Sequence, residues 1–457
     1  MPVSDAVVII GGGLAGSEAA WQLAERGVSV RLYEMRPTQQ TPVHTSGNLA
    51  ELVCSNSLKS LDATSASGSL KYELSVLGSQ LLRCALESRV AAGSALAVDR
   101  KVFSELVTKS LNAHRNIDLI HEEFTDLSCL LENQSPCIIA TGPLTSPALE
   151  SGLARLIGKE SLAFYDAAAP IIYADSLDRE KLFYQSRYDK SGADYLNAAL
   201  TREEYDRLIS ELVDARKVIP KEFEKSELFS ACQPIEEIAR RGHDALRHGA
   251  LKPVGLFDPI SGRRPWAVVQ LRPENKEATA FNLVGFQTNL VFSEQERIFR
   301  LIPGLENATF ARFGVMHRNT FINAPKVLDR SFALPSFPQV RFAGQVTGTE
   351  GYVEAIVSGL FAALNCYAQI MGAQPVVLPE ETMSGSLFAY ATDPSVVDYQ
   401  PMHVNYGIIK PLDEPVRRKQ ERHAAYSRRS KAAIEAFKEQ NGFLSFLPTY
   451  QLPFLLP

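Results

Sequence analysis

The sequence predicts an α/β fold: a Rossmann-like parallel sheet with a dinucleotide-binding turn at its centre, interrupted by an inserted α+β domain. Three observations carry this reading. Residues 6–34, AVVIIGGGLAGSEAAWQLAERGVSVRLYE, run as strand, tight turn, helix, strand and acid. A late apolar run, Val340–Gly344, enters a second glycine-bearing turn and then a long helical pattern. Between these halves, residues 151–325 break the alternating rhythm of strand and helix.

The first element is the most specific. Gly11-x-Gly13-x-x-Gly16 follows the apolar run Ala6–Ile10. Gly11 allows the turn, Gly13 lets the backbone approach a pyrophosphate, and Gly16 lets the helix lie close on the strand. Gly12, Leu14 and Ala15 complete the turn and open the helix, whose free N–H groups and positive dipole end face the phosphates. Glu34 ends the second strand, where a carboxylate can accept hydrogen bonds from a ribose.

Residues 36–60 are polar and predict a loop beside the nucleotide, with a short helix near Ala50. Residues 69–92 read as helical. A strand over Ala97–Arg100 and a helix over Val102–Asn112 follow, then strands at Ile117–Ile120 and Cys137–Ala140. The last runs into Thr141-Gly142, as a later strand of a flavin-binding sheet does where it passes the cofactor. The insertion holds a charged helical stretch (Thr201–Ala215) and strand-like runs at Ala267–Leu271 and Asn282–Val284. Val340–Gly344 returns to the first sheet, and Gln345–Tyr352 with a helix over Val353–Ile370 closes the same pocket. The expected division is a discontinuous cofactor domain, 1–150 with 326–457, around an insertion at 151–325. With one GxGxxG in the chain, one dinucleotide is held tightly, and a nicotinamide donor visits without a Rossmann unit of its own.

Composition narrows the class. The chain has 457 residues, 45% apolar and 22% charged, which suits two or three globular domains. No uninterrupted apolar run spans a bilayer and no basic leader opens the chain, so a cytoplasmic protein is expected. The six cysteines show no CxxC, which argues against zinc ribbons and disulfide scaffolds. Cys54 and Cys232 sit among polar residues at possible helix starts, where a thiol gains nucleophilicity. The other four lie in apolar patterns and read as core. His243 and His248 match no metal spacing and read as surface or helix-end residues. His317 and Arg318 lie in a polar cluster that suits either an anionic or heteroaromatic ligand or a loop hydrogen-bond network. The net charge of −5 permits a polyanionic partner only where cations cluster. Two stretches qualify: 416–439, with eight Lys/Arg against three Glu, and 240–252, with Arg240, Arg241, Arg247 and Lys252. On its own, the first reads more readily as a solvated surface helix than as a phosphate-contacting face.

A family resemblance rests on longer blocks. GGGLAGSEAAWQLAERGVSVRLYEMRP, ELVCSNSLKS, ALAVDR, ACQPIEEIARRG, RRPWAVVQLR, GVMHRNTFINAPKVLD and FAGQVTGTEGYVEAIVSGL together resemble the folate- and FAD-dependent tRNA (uracil-5-)-methyltransferases of bacteria, the TrmFO family. The likeness runs from about residue 6 to about 440. It implies a glutathione-reductase-like FAD domain with an insertion. It also implies methylenetetrahydrofolate as carbon donor, NAD(P)H as reductant and the T-loop uridine of tRNA, position 54 of the tRNA, as target. By motif match, Cys232 is implied as the nucleophile at uracil C6 and Cys54 as the second active-site thiol. Gly11, Gly12, Gly13, Leu14, Ala15, Gly16 and Glu34 fall on the ADP-binding motif. Gly344, Gln345, Gly348, Gly351 and Tyr352 fall on the flavin-facing segment, and His317 and Arg318 are folate contacts. Gln345 stands where many flavoproteins carry an aspartate. Two alternatives stay open: a relative that methylates a ribosomal RNA uridine, and a non-catalytic flavin-bound RNA-binding module. The oligomeric state is not legible.

Overall fold

The computed structural model describes residues 6–452 except 42, 133–134, 159–160, 168, 190–193, 219–232, 315 and 397–398; of 161–167 and 316–320 it describes the backbone. The central sheet has six strands in the order Ala333–Leu334, Phe337–Phe342, Cys137–Ile139, Val7–Ile10, Val30–Tyr33, Ile117–Ile120. All neighbours are parallel except the outermost pair, Ala333–Leu334 with Phe337–Phe342. Val7–Ile10 and Cys137–Ile139 are buried throughout, which is why they read as unbroken apolar runs. The chain leaves Val7–Ile10 towards Val30–Tyr33 on one side and later returns at Cys137–Ile139 on the other. That reversal opens a crevice at the carboxyl ends of the two strands.

Two helices cross over the sheet, Leu14–Glu25 and Tyr352–Ile370. Their approach is set by small residues. A Cβ on Gly359 would lie 2.1 Å from the Ala15 carbonyl oxygen, and one on Gly344 would lie 2.9 Å from the Ala15 Cβ. The Tyr352–Ile370 helix is long and apolar enough to cross a membrane by composition, yet 83% of that apolar window is buried inside the protein. Its apolar surface faces the core.

The structure corrects several sequence expectations. Residues 69–92 are two helices, Ala66–Leu77 and Gln80–Glu87, followed by a strand at Arg89–Val90. Gly78 in the left-handed region ends the first, and the Ser79 side chain caps the second by accepting from the Leu82 N–H. No helix forms near Ala50. That residue has a φ of 53° in a turn, and its N–H donates to the Gly12 carbonyl, tying the loop to the glycine turn. The strand expected at Ala97–Arg100 is Ala95–Val98, because Asp99 caps a helix that opens at Arg100.

A second sheet has the order Leu182–Tyr184, Leu196–Leu200, Ala267–Pro273, Ala280–Leu283, Ile171–Tyr173, Phe310–Arg312, antiparallel at every step. It has its own apolar core, including Tyr205, Phe281 and Phe299. The Arg202–Asp214 helix packs there behind a full capping box made by Thr201 and Glu204. Strands Ser161–Ala167 and Met316–Ile322 pair antiparallel where the chain enters and leaves this region.

The helix crossing yields a prediction. Gly359→Leu should force the two helices apart, lowering stability by about 1–3 kcal/mol as overpacked cores do and expelling the flavin that the family resemblance implies. Differential scanning fluorimetry and the visible spectrum check both effects. Gly442→Ala, at a site with no neighbour within 4 Å of the added carbon, should leave both unchanged.

Candidate active site

An open cleft occupies the crevice where the strand order reverses. Its walls come from distant parts of the chain: Gly11 and Gly13–Ala15, Glu34–Arg36, Ala140–Ser146, and Gly344, Gln345 and Tyr352. A Cβ on Gly13 would meet nothing within 4 Å, so the backbone there faces open space. Gly11 and Gly16 act differently. Gly11 has a φ of 105° and presses on the Ala140 carbonyl, and a Cβ on Gly16 would lie 1.9 Å from the Gly11 oxygen. Gly12 does not line the cavity; its N–H donates to Glu34 Oε2 at 3.0 Å. Gly348 and Gly351, with φ of 78° and 114°, shape the late turn from behind the wall.

Glu34 is almost fully buried, yet it lines this cavity. Burial pushes its carboxyl up, but the hydrogen bonds and charge of Arg36, with the Gly12 N–H, outweigh that and hold it below the ordinary carboxylate range. Oε1 accepts from Arg36 N and Nε at 3.0 and 2.8 Å, and Oε2 from Gly12. A carboxylate has about four acceptor positions, which leaves one for a ribose hydroxyl. Arg36 also pairs with Glu51 at 3.2 Å, a brace that the sequence reading missed. An open glycine turn, a helix N-terminus, a placed carboxylate and a second glycine turn opposite fit FAD, whose adenylate half would lie on Gly11–Ala15 and Glu34.

Cys54 stands at the edge of this cavity, half-buried. Its neighbour Val53 lines the wall. The Tyr352 hydroxyl accepts the N–H of Cys54 at 2.9 Å and of Ser55 at 3.1 Å. Burial pushes that phenol well up, so it stays neutral. Three arginines bracket the same turn. Arg100 donates to the carbonyls of Leu52 and Cys54 at 2.9 and 3.0 Å. Arg312 donates to those of Val53 and Cys54 at 2.9 and 3.2 Å. Arg272, from the second sheet, donates to Asn56 Oδ1 and Ser55 Oγ, both at 2.7 Å. Burial pulls all three guanidiniums down. For Arg100 the Glu274 carboxylate at 2.5 Å outweighs it, whereas Arg272 and Arg312 end below their ordinary value. Sequence reasoning missed these arginines. For Arg100 and Arg272 the signal available was an arginine at the end of an apolar run, ALAVDR and VVQLR.

Cys232 lies outside the described residues. The flanks of its segment are described, and both are joined to one stretch. The Val218 N–H donates to the Asn289 carbonyl at 2.8 Å, and the Ile235 N–H to that of Gln287 at 2.7 Å. The His317 and Arg318 backbone is in a strand, not a loop, opposite Asp166 and Tyr165; their side chains lie outside the description. Cys84, Cys137 and Cys366 are buried, with burial pushing Cys84 to about 12 and Cys366 to about 11. Cys129, expected in the core, is exposed, because its helix, Ser128–Glu132, is too short to bury more than Leu130.

The basic stretches are partly consumed by structure. In the Lys419–Gln440 helix, Arg422, Arg429 and Lys438 donate to backbone carbonyls and Lys431 lies over the Tyr72 ring. Arg417, Arg418 and Lys419 at its start are exposed. Arg240 donates to the Val213 carbonyl and Arg247 stacks on Trp266 at 3.9 Å, leaving Arg241 and Lys252 exposed. His243 pairs with Asp206 at the surface.

Fold and cavity together define an FAD-binding α/β protein. The chain is similar over 97% of its length to the GidA of Aquifex aeolicus in two crystal forms, with TM-scores of 0.70 and 0.69, 17% identity, and 76% and 74% of those chains covered. The family model described as glucose inhibited division protein A matches residues 6–374. Proteins named methylenetetrahydrofolate–tRNA-(uracil-5-)-methyltransferase TrmFO are close relatives. That of Desulfitobacterium hafniense is 50% identical over 96% of this chain and 99% of its own, and that of Heliobacterium modesticaldum 51% over 95% and 98%. This chain belongs to the TrmFO family.

The open face of Gly13 makes the cavity testable. Gly13→Leu should fold, since its φ of −71° suits any residue, but should purify colourless because the side chain fills the pyrophosphate position. Absorbance near the flavin bands, read beside the melting temperature, checks this.

Proposed function

We propose that this protein transfers the one-carbon unit of methylenetetrahydrofolate to C5 of a uridine in tRNA, the T-loop uridine at position 54 of the tRNA, with NADH or NADPH supplying electrons, in the cytoplasm. The placement of Cys54 carries the reading: a half-buried thiol on a bracketed turn, hydrogen-bonded through its backbone to Tyr352 of the cofactor cavity. The names of the close relatives agree with it. The division into 1–150 with 326–457 and an insertion at 151–325 is supported by two separate apolar cores, with Leu153, Ile157, Phe321, Ile322 and Ala324 at the edges of the insertion packed in the first core.

Uracil C5 is a poor nucleophile. A thiolate added to C6, assigned to Cys232 by motif, breaks the C5–C6 π bond and places the electron pair on C5 and O4 as an enolate. C5 then bonds to the folate methylene carbon as one of its two bonds to folate nitrogen breaks; the second breaks as the hydride arrives, releasing tetrahydrofolate. Loss of the C5 proton and expulsion of the thiolate restore the ring. The carbon arrives at the formaldehyde level and needs two electrons to become methyl. FAD, when bound, supplies that hydride chemistry, drawing its electrons from NAD(P)H. The chain's own residues hold the reactants. Tyr352 and the three arginines fix the Cys54 turn at the cavity edge, and Cys54 guards or assists the one-carbon step there. His317 and Arg318 are assigned to folate. The target uridine must leave its stack to reach the thiol, at a cost of a few kcal/mol.

Purified protein, unmodified tRNA transcript, NADPH and methylene-labelled folate test this. Label at the T-loop uridine supports the reading. Label only on ribosomal RNA, or none, overturns it. Cys232→Ala should abolish labelling while the flavin spectrum persists; retained turnover would remove the nucleophile assignment. Neutralising Arg417 and Arg418, exposed beside the last long helix, should weaken RNA binding and lower its salt slope by up to about 0.9 for each phosphate that is no longer neutralised.

A further inference from the structure

Four phenylalanines form a column from the second core to the surface. Phe299 is fully buried and tilts against Phe310. Phe310 stacks on Phe313 with ring centres 4.9 Å apart and planes at 19°. Phe313 stacks on Phe292 at 4.8 Å and 13°. Phe292, the first residue of the Phe292–Phe299 helix, is 51% exposed.

The column is built, not incidental. In a regular strand, residues three apart point to opposite faces. Phe313 lies just past the end of the Phe310–Arg312 strand, beyond a register shift, where its ring stacks on Phe310. Gln295, fully buried, then locks the turn to the helix. Its Nε2 donates to the Gly314 carbonyl at 2.8 Å while its Oε1 accepts the Gly314 N–H at 2.7 Å. Phe313 is therefore fixed against Phe292 from both strand and helix. A lone exposed phenylalanine needs no explanation. This one ends a rigid stack of parallel rings.

Its position relates it to the thiol. Arg312, whose guanidinium holds the Val53 and Cys54 carbonyls, immediately precedes Phe313. On the other side, Arg216 is 73% exposed and donates to Ser293 Oγ beside Phe292 while pairing with Glu294. An aromatic face flanked by an exposed guanidinium, in a stack whose Phe313 directly follows the arginine that holds the Cys54 turn, has the chemistry that accepts an unpaired base and its phosphate.

From this column we infer that Phe292 is a stacking platform for an unpaired base of the RNA, next to the uridine drawn to the cavity. Phe313 and Phe310 back the ring, and Arg216 faces the adjoining phosphate. This rests on RNA being the substrate. Stacking is tolerant of base identity, so the platform adds affinity and holds the strand in place rather than reading sequence.

The test is binding of a fluorescently labelled T-arm stem–loop RNA to the FAD-loaded protein, by anisotropy over a range of salt. Phe292→Ala should weaken binding by about 10-fold, within the range of base–aromatic stacking, with the salt slope unchanged because every cation that meets a phosphate is still present. Phe292→Trp should bind at least as tightly as the natural protein, which a packing defect would not restore. The melting temperature of each variant shows that it folds. An Ala variant within about twofold of the natural protein, or Ala and Trp variants equally weak, overturns the platform. If the natural protein itself does not bind the RNA, the proposed function fails first, and that result is distinct from the others.

Discussion

Ala15 is the pivot of the cofactor domain. Its carbonyl lies where a Cβ on Gly359 would be, and its methyl meets the space above Gly344. Two helices more than 300 positions apart in the chain thus approach at backbone distance. That approach brings the first glycine turn and the last one to opposite walls of one cavity. The positive φ of Gly344 and the absence of side chains on Gly13 and Gly359 serve one geometry. A larger residue at the crossing would not merely cost packing energy; it would separate the two halves of the cofactor site.

A second constraint is electrostatic. Arg100, Arg272 and Arg312 converge on five residues, Leu52–Asn56, from three separate elements. Burying guanidinium groups is costly, and Arg272 and Arg312 show it in their lowered affinity for the proton. Glu274 answers part of the charge by pairing with Arg100, and backbone carbonyls answer the rest. The arrangement gathers three guanidiniums and one carboxylate around the turn that carries Cys54. It also joins the second sheet to the cofactor domain at the turn where the chemistry is proposed, so a shift of that sheet would be felt at Cys54.

Charge elsewhere is likewise committed to the fold. The helix over Lys419–Gln440 looks like a polyanion-binding strip in sequence, yet several of its cations are held by carbonyls and rings of its own structure. What remains exposed is its leading end and, farther along, Arg428. The phenylalanine column offers the complementary contribution, dispersion and stacking without net charge.

The sequence by itself determined the sheet, the glycine turn and the acid at Glu34, because these depend on local periodicity and on backbone freedoms that only glycine has. The long shared blocks were enough to identify the family, and residue-type spacing singled out the glycine turn that lines the cleft. Local signals misled where a boundary hung on one capping group: Gly78 with Ser79 split a helical run, and Asp99 moved a strand end. The arginine bracket, the Tyr352 contact to Cys54 and the stacked phenylalanines were decided only by tertiary structure. Each joins residues far apart in the chain through hydrogen bonds or ring faces, and neither periodicity nor composition records which distant partner a buried polar group will find.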